Sequence, residues 1–539
     1  MLTAGHHKAK LYTTAKGRVF MKLVTVSEMI AIEHESGLKG VPPAQLMEHA
    51  GLAVAEKIMD FAGHISSKRI MLLVGPGNNG GDCLVAARHL SRSGEQVFLV
   101  IPARNPSNEN NLRLAMEAGA CLLEGIPDFR KQLLNTDVCL DGFFGTGRSR
   151  PIGGDFKTIL GAVNSFKSGC GSFLTVAIDV PSGVDSDTGA IDPVAFIADR
   201  TLTLGYPKIG LYNSDAAIPV AGKITVLDIG IPAGVLIPGE RNLIDQKSAS
   251  RVLPRRSSNA HKGTFGRLLV VAGSDKYPGA AYLSSAGAAR SGAGLVTLAV
   301  PRSLQQGIVS RLPEATYLPL DELTPGIIDR QAAEKVSSAI GGYSALLAGC
   351  GMGQTREAGE MLRLLIENAR KNNLPLVLDA DGLNLLAGIP DWHKNLPPGS
   401  ILTPHPGEMG RLCETSVELV QKDRIGIALR KAREWNQVVV LKGAYTVIAS
   451  PDGSVMVNPC SNPALASAGT GDVLAGIIAG LLVQGLNRFE AAWLGVHLHS
   501  QAGVAAARES GTIGVLASDL LPYIPEVIKS LDSAREMEQ

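Results

Sequence analysis

Ile70-Met71-Leu72-Leu73-Val74-Gly75-Pro76-Gly77-Asn78-Asn79-Gly80-Gly81-Asp82 decides how the first half of this chain folds. The apolar run before Gly75 reads as a strand buried on both faces. Residues 75–82 read as a glycine loop, and 83–90 continue as a helix. Strand, glycine loop and helix together make the unit that cradles phosphates in doubly wound α/β folds. The spacing is not a Walker loop, which ends in Gly-Lys-Ser/Thr, nor the G-x-G-x-x-G dinucleotide fingerprint.

Working outward, residues 21–62 carry a helical pattern, and further strands are expected at 96–101, 137–140 and 173–178. The second of these runs into Asp141-Gly142-Phe143-Phe144-Gly145-Thr146-Gly147-Arg148-Ser149-Arg150-Pro151, the third into Asp179-Val180-Pro181-Ser182-Gly183-Val184-Asp185. Ligands of open α/β sheets bind at the carboxyl ends of the strands. Asn79, Asp141 and Ser182 are therefore expected to converge, with Asp179 beside them. Neutral or singly charged oxygens of this kind suit a weakly held hard cation. The alternative for each residue is a helix cap or turn; three such loops in one sheet favour a shared site.

The pattern weakens after 224–229, and the stretch 232–245, with Pro232, Gly234, Pro238 and Gly239, reads as a domain boundary. A second β/α alternation follows, with strands at 267–272, 295–300, 345–348, 375–378 and 438–441. Glycine-rich or polar loops follow its strands. The small residues of 279–294 allow a helix to pack closely. His405, between Pro404 and Pro406, is rigidly placed, as a site residue or as a cap. Asn462-Pro463-Ala464-Leu465-Ala466-Ser467-Ala468-Gly469-Thr470-Gly471-Asp472 then runs into an apolar helix. Glycines at a helix start aim several N–H groups at one spot and add the helix dipole, which makes a site for an anion such as phosphate. Asp472 beside that anion is either an N-cap or a base for an attacking hydroxyl.

Composition sets bounds. A chain of 539 residues is too long for one core. Apolar residues make up 45% and charged residues 19%, which excludes a disordered protein. Aromatics at 4%, and 51 Lys plus Arg against 50 Asp plus Glu, give no case for nucleic acid or an anionic membrane. The 7 cysteines form no C-x-x-C pair, the pattern of a reducing compartment without structural zinc, so a cytoplasmic location is expected. The apolar run from Val473 is broken at Gln484, too short to span a bilayer. Residues 1–21 read as a tail rather than a secretory signal, with Met21 an alternative start. A homo-oligomer is expected.

These motifs together resemble the bifunctional NAD(P)H-hydrate repair enzymes, in which an NAD(P)HX epimerase domain is fused to an ADP/ATP-dependent NAD(P)HX dehydratase domain. The resemblance spans roughly 22–530. It rests on the three loops quoted above and, in the second half, on His261-Lys262-Gly263, Gly273-Ser274, Thr403-Pro404-His405-Pro406-Gly407-Glu408, Lys442-Gly443-Ala444 and Ala468-Gly469-Thr470-Gly471-Asp472. Cys83, Gly142 and Cys350 depart from the usual glycine, alanine and proline.

The resemblance implies a Rossmann-like epimerase domain over 22–235 and a ribokinase-like dehydratase domain over 246–535. The first would bind hydrated dinucleotide (NADHX or NADPHX) through Asn78, Asn79, Gly80, Gly81, Asp82, Gly145, Thr146, Gly147, Arg148, Ser149, Arg150, Pro151 and Asp179. It would hold K⁺ with Asn79, Asp141 and Ser182. The second would hold the hydrate with Ala281, Gly351, His405 and Asp472. The adenine nucleotide, ADP or ATP with Mg²⁺, would lie on Lys442, Gly443, Ala444, Tyr445, Thr446 and Gly471. Asp472 and Asp179 would be the catalytic groups. The rival readings are a ribokinase-like kinase of another hydroxylated metabolite fused to a Rossmann-like module, and a non-enzymatic first half. The kinase reading leaves the first half unexplained.

Overall fold

The strand read at 70–74 is Arg69–Val74, third in a seven-stranded, all-parallel sheet. The order is Cys121–Leu122, Gln96–Val100, Arg69–Val74, Val138–Gly142, Leu174–Ile178, Arg200–Leu204, Lys223–Leu227. Both faces are covered, so its residues divide by parity. Ile70, Leu72 and Val74 enter a core with Met29, Ile32, Val54 and Leu90. Met71 and Leu73 enter another with Phe129, Phe143 and Leu160. The computed structural model describes residues 12–13, 19–62, 68–146, 151–170, 173–237 and 239–536. The chain divides into two compact units, Met1–Gly239 and Glu240–Gln539.

Three elements of the first unit differ from the reading of the sequence. The helix after the glycine loop starts at Asn78, not Cys83, so Asn78–Asp82 form its first turn. The helical stretch from 21 begins as a strand, Val19–Lys22, and then forms two helices, Val26–Leu38 and Pro43–Ala62. Gly40, at φ 89°, and the Pro42-Pro43 pair separate them. The strand Arg200–Leu204 was not expected, because alternating Thr looks half-exposed; both threonines are fully buried, and Thr201 donates to Ala221 O at 2.6 Å.

In the second unit, seven parallel strands run in the order Val438–Leu441, Ile401–Leu402, Leu376–Leu378, Ala345–Ala348, Arg267–Val271, Leu295–Pro301, Thr316–Leu320. Val447–Ala449 and Val455–Val457 extend the Val438 edge antiparallel, and Arg241–Leu243 pairs parallel with Val455–Val457. The helix Thr470–Leu482 is buried along most of its length. It crosses the small-residue helix Pro278–Arg290 so closely that a Cβ at Gly476 would fall 2.0 Å from Ser284 O. That crossing fixes the start of the helix, and with it Asp472, over the sheet. Among the described residues no helix is long and apolar enough to cross a membrane.

Candidate active sites

In each unit the strand order reverses beside its first long strand, which opens a crevice at the carboxyl ends. In the first unit the crevice lies between Arg69–Val74 and Val138–Gly142. A Cβ at Gly75 would fall 1.7 Å from Phe143 O, and one at Gly80 would fall 1.9 Å from Gly75 O, so the two loops close only with glycine at both places. Gly77 caps the helix with no side-chain bond, which leaves the N–H groups of the first turn to face the crevice.

Asp141 is fully buried and accepts from Ser182 Oγ and Ser182 N, both at 2.6 Å, and from Phe143 N at 3.2 Å. Burial nevertheless pushes its carboxyl up to about 6. Ser182 Oγ also takes the Phe144 amide at 2.9 Å. Asn79 packs on Gly145, and both its amide O and N are buried without a hydrogen-bond partner. A buried, unsatisfied amide oxygen, a carboxylate and a hydroxyl at neighbouring strand ends are oxygens of the kind that hard cations take. Thr146 is half-buried and Pro151 exposed. Gly147, Arg148, Ser149 and Arg150 lie outside the described residues.

Asp179 sits at the end of Leu174–Ile178 in a left-handed conformation, φ 66°. Its carboxylate is ion-paired with Lys208, whose side chain is 1% exposed. The Lys208 ammonium also faces Asp82 and Glu33, and burial pushes both of those carboxyls up. Neither Lys208 nor Glu33 was singled out in the sequence. Lys208 lies in a turn after a strand that alternating Thr disguises, and Glu33 on a helix with no motif of its own.

In the second unit Asp472 stands in the first turn of Thr470–Leu482, which Gly469 enters at φ 88° with no side-chain cap. The carboxylates of Asp472 and Asp379 and the thiol of Cys350 lie within 4.8 Å of one another. Lys442 donates to Asp379 Oδ1 at 2.5 Å and lies 3.7 Å from Glu408. A Cβ at Gly471 would fall 3.5 Å from Lys442 Nζ and 3.7 Å from Asp379 Oδ2, so Gly471 joins the cluster. His405 caps Pro406–Leu412, accepting from Gly407 N and Glu408 N at 3.0 and 3.3 Å, while Glu408 bonds back to His405 N at 2.7 Å. Ala281 packs on Gly273, and Gly351 on Ala280 and Tyr277. Gly443, Ala444, Tyr445 and Thr446 follow Lys442 in a tight turn, with Tyr445 left-handed at φ 53° and Thr446 Oγ1 bonded to Gly443 O.

The electrostatics divide the roles. Burial pushes Asp472 up to about 7, helped by Asp379 and opposed by the Cys350 thiol and Lys442. Burial also pushes Glu408 up to about 7. Burial alone would lower the Lys442 ammonium, but Asp379 and Glu408 outweigh it and hold it charged. Asp379, Glu408 and Cys350 were not assigned roles from the sequence. The strand-end argument used in the first half would have found Asp379, which follows Leu376–Leu378.

Comparison with known proteins matches a family described as NAD(P)H-hydrate dehydratase over residues 268–526 and one described as YjeF-related protein N-terminus over 43–210. A bifunctional NAD(P)H-hydrate repair enzyme of Moorella thermoacetica is 38% identical over 96% of this chain and 98% of its own length. Another from Thermofilum pendens is 37% identical over 95% and 97%. A solved ADP/ATP-dependent NAD(P)H-hydrate dehydratase of Bacillus subtilis, co-crystallised with ATP and Mg²⁺, is 33% identical, with TM-score 0.47, over 54% of this chain and 98% of its own.

Proposed function

Because this chain belongs to the bifunctional NAD(P)H-hydrate repair enzymes, an isomerase and a lyase in one polypeptide, we propose how its residues divide the work. The epimerase interconverts the R and S hydrates in the first unit, on Asn78–Asp82, Gly145–Pro151 and Asp179. Asn79, Asp141 and Ser182 would hold K⁺, which supplies a fixed positive charge beside the bound dinucleotide. The orphaned Asn79 amide supports that reading.

The dehydratase acts on the S hydrate in the second unit. A hydroxyl at C6 of the reduced ring is a poor leaving group; phosphorylation makes it a good one, the ring nitrogen then expels phosphate to leave an N1=C6 iminium, and loss of a C5 proton to water restores the C5=C6 double bond. Asp472 takes the hydroxyl proton, and the N–H groups at Gly469–Gly471 receive the transferred phosphoryl. Lys442–Thr446 and Gly471 carry the adenine nucleotide, and Ala281, Gly351 and His405 frame the hydrate. The carboxylates of Asp379 and Glu408 are hard donors that fit the Mg²⁺ of the nucleotide, which neutralises phosphate charge. A homo-oligomer in the cytoplasm completes the proposal.

The observation that carries this reading is Asp472 in an uncapped first turn, in a cluster with the half-buried Lys442 and its two acids, Asp379 and Glu408. Purified protein given S hydrate should restore the reduced-nicotinamide absorbance only when ADP or ATP and Mg²⁺ are added. Full recovery without nucleotide would overturn the phosphorylation route.

A further inference from the structure

Three donors meet on one oxygen of Asp179. The Lys208 ammonium, the Leu204 amide at 3.0 Å and the Thr203 hydroxyl at 3.3 Å all bond Oδ1. Among the described residues no hydrogen bond reaches Oδ2. The backbone is fixed as well, by the Asp179 amide on Leu202 O at 2.8 Å. Lys208 is in turn anchored at its ammonium by Leu204 O at 2.9 Å. Its flanking peptide groups pair with Val24, through Val24 N on Pro207 O at 3.0 Å and Ile209 N on Val24 O at 2.9 Å. A buried ammonium is costly unless paired. Here the partner is a carboxylate with three bonds on one oxygen and none on the other among the described residues, and the same ammonium acts on the buried acids Asp82 and Glu33.

We propose that Lys208 is a positioning residue of the epimerase, pinning Oδ1 of Asp179 so that Oδ2 alone meets the substrate. This rests on the reading of Asp179 as the epimerase base. Oδ2 takes the proton of the C6 hydroxyl, and the O–H electron pair becomes the second bond of a C6 carbonyl. The C6–N1 bond breaks, and its pair goes to N1 and spreads through the C2=C3 double bond into the carboxamide. Rotation about C5–C6 offers N1 the other carbonyl face. N1 closes the ring again, and the resulting alkoxide recovers the proton from Oδ2. Nothing is oxidised or reduced, and no co-reactant is consumed.

The test uses the full chain and pure R hydrate without nucleotide, so that the dehydratase is silent, with R and S separated by chromatography. Lys208→Met is expected to lower kcat about 10²-fold with KM little changed. A loss confined to kcat marks a group that orients the reacting carboxylate, whereas a merely structural lysine would move kcat and KM together or neither. Lys208→Arg, which restores the charge, should recover kcat to within about tenfold of the parent. A Lys208→Met protein with the parent's kcat, or one in which kcat and KM change together, would overturn the positioning role. Asp179→Asn, run alongside, separates the two ideas: if it too turns over at the parent rate, the reading of Asp179 as base has failed. Should Lys208→Met not fold, Thr203→Val decides. It removes another donor to Oδ1 and should lower kcat about threefold or more; an unchanged kcat would overturn the proposal.

Discussion

Asp472 combines two properties that a base for this chemistry needs: it faces a helix start that attracts phosphate, and burial sets its carboxyl near neutrality, at about 7. The base works ionised, so kcat/KM for the S hydrate should fall as pH drops below about 7 and level off above it; a flat profile across that range would remove Asp472 from the role. Asp472→Asn keeps the size but removes the base, and dehydration should fall about 10²–10⁴-fold. The Cys350 thiol holds the Asp472 carboxyl down, so Cys350→Ala should move the acid limb of dehydration upward. Asp472 was legible in the sequence because its anion-binding turn is contiguous. Asp379 was legible too, at the end of Leu376–Leu378, had the strand-end argument been carried into the second half; Lys208 was not, because it gains its place only through Asp179, in another loop.

The elements were legible where periodicity is clean and obscured where burial overrides it. Residues 70–74 and Val438–Leu441 are apolar throughout and could be read directly, whereas Arg200–Leu204 buries two threonines, of which Thr201 bonds neighbouring backbone. Starting the helix at Asn78 has a functional consequence. It places Asn79 in the first turn, against Gly145 and within the crevice that Asp141 and Ser182 line. A thallium-soaked crystal should therefore show an anomalous peak among Asn79, Asp141 and Ser182; an empty site with those side chains turned apart would refute a cation there. The crossing of Thr470–Leu482 on Pro278–Arg290 is the corresponding device in the second unit. At Gly476 the obstacle to a Cβ is backbone at 2.0 Å, so Gly476→Ala should destabilise that unit by about 1–3 kcal/mol. Urea unfolding would read this, and dehydration should weaken as Asp472 shifts; an unchanged midpoint would mean the helices separate at little cost.

At the scale of the whole molecule, the division at Gly239 and Glu240 falls within the stretch 232–245, where the sequence pattern weakens. How two activities share one chain depends on where the acids fold. Each unit brings its own set to its own strand ends: Asp179 with Lys208, and Asp472 with Asp379, Lys442 and Glu408. No acid of one set belongs to the other unit, so the two chemistries should be lost independently. The direct test is to follow both epimers by chromatography, with ADP or ATP and Mg²⁺ present, in Asp179→Asn and Asp472→Asn proteins. Asp179→Asn should consume the S hydrate and leave the R hydrate behind, apart from slow spontaneous conversion. Asp472→Asn should leave both hydrates at their equilibrium ratio, with almost no NAD(P)H formed. Loss of epimerisation in a folded Asp472→Asn protein, or of dehydration in a folded Asp179→Asn protein, would contradict two independent sites.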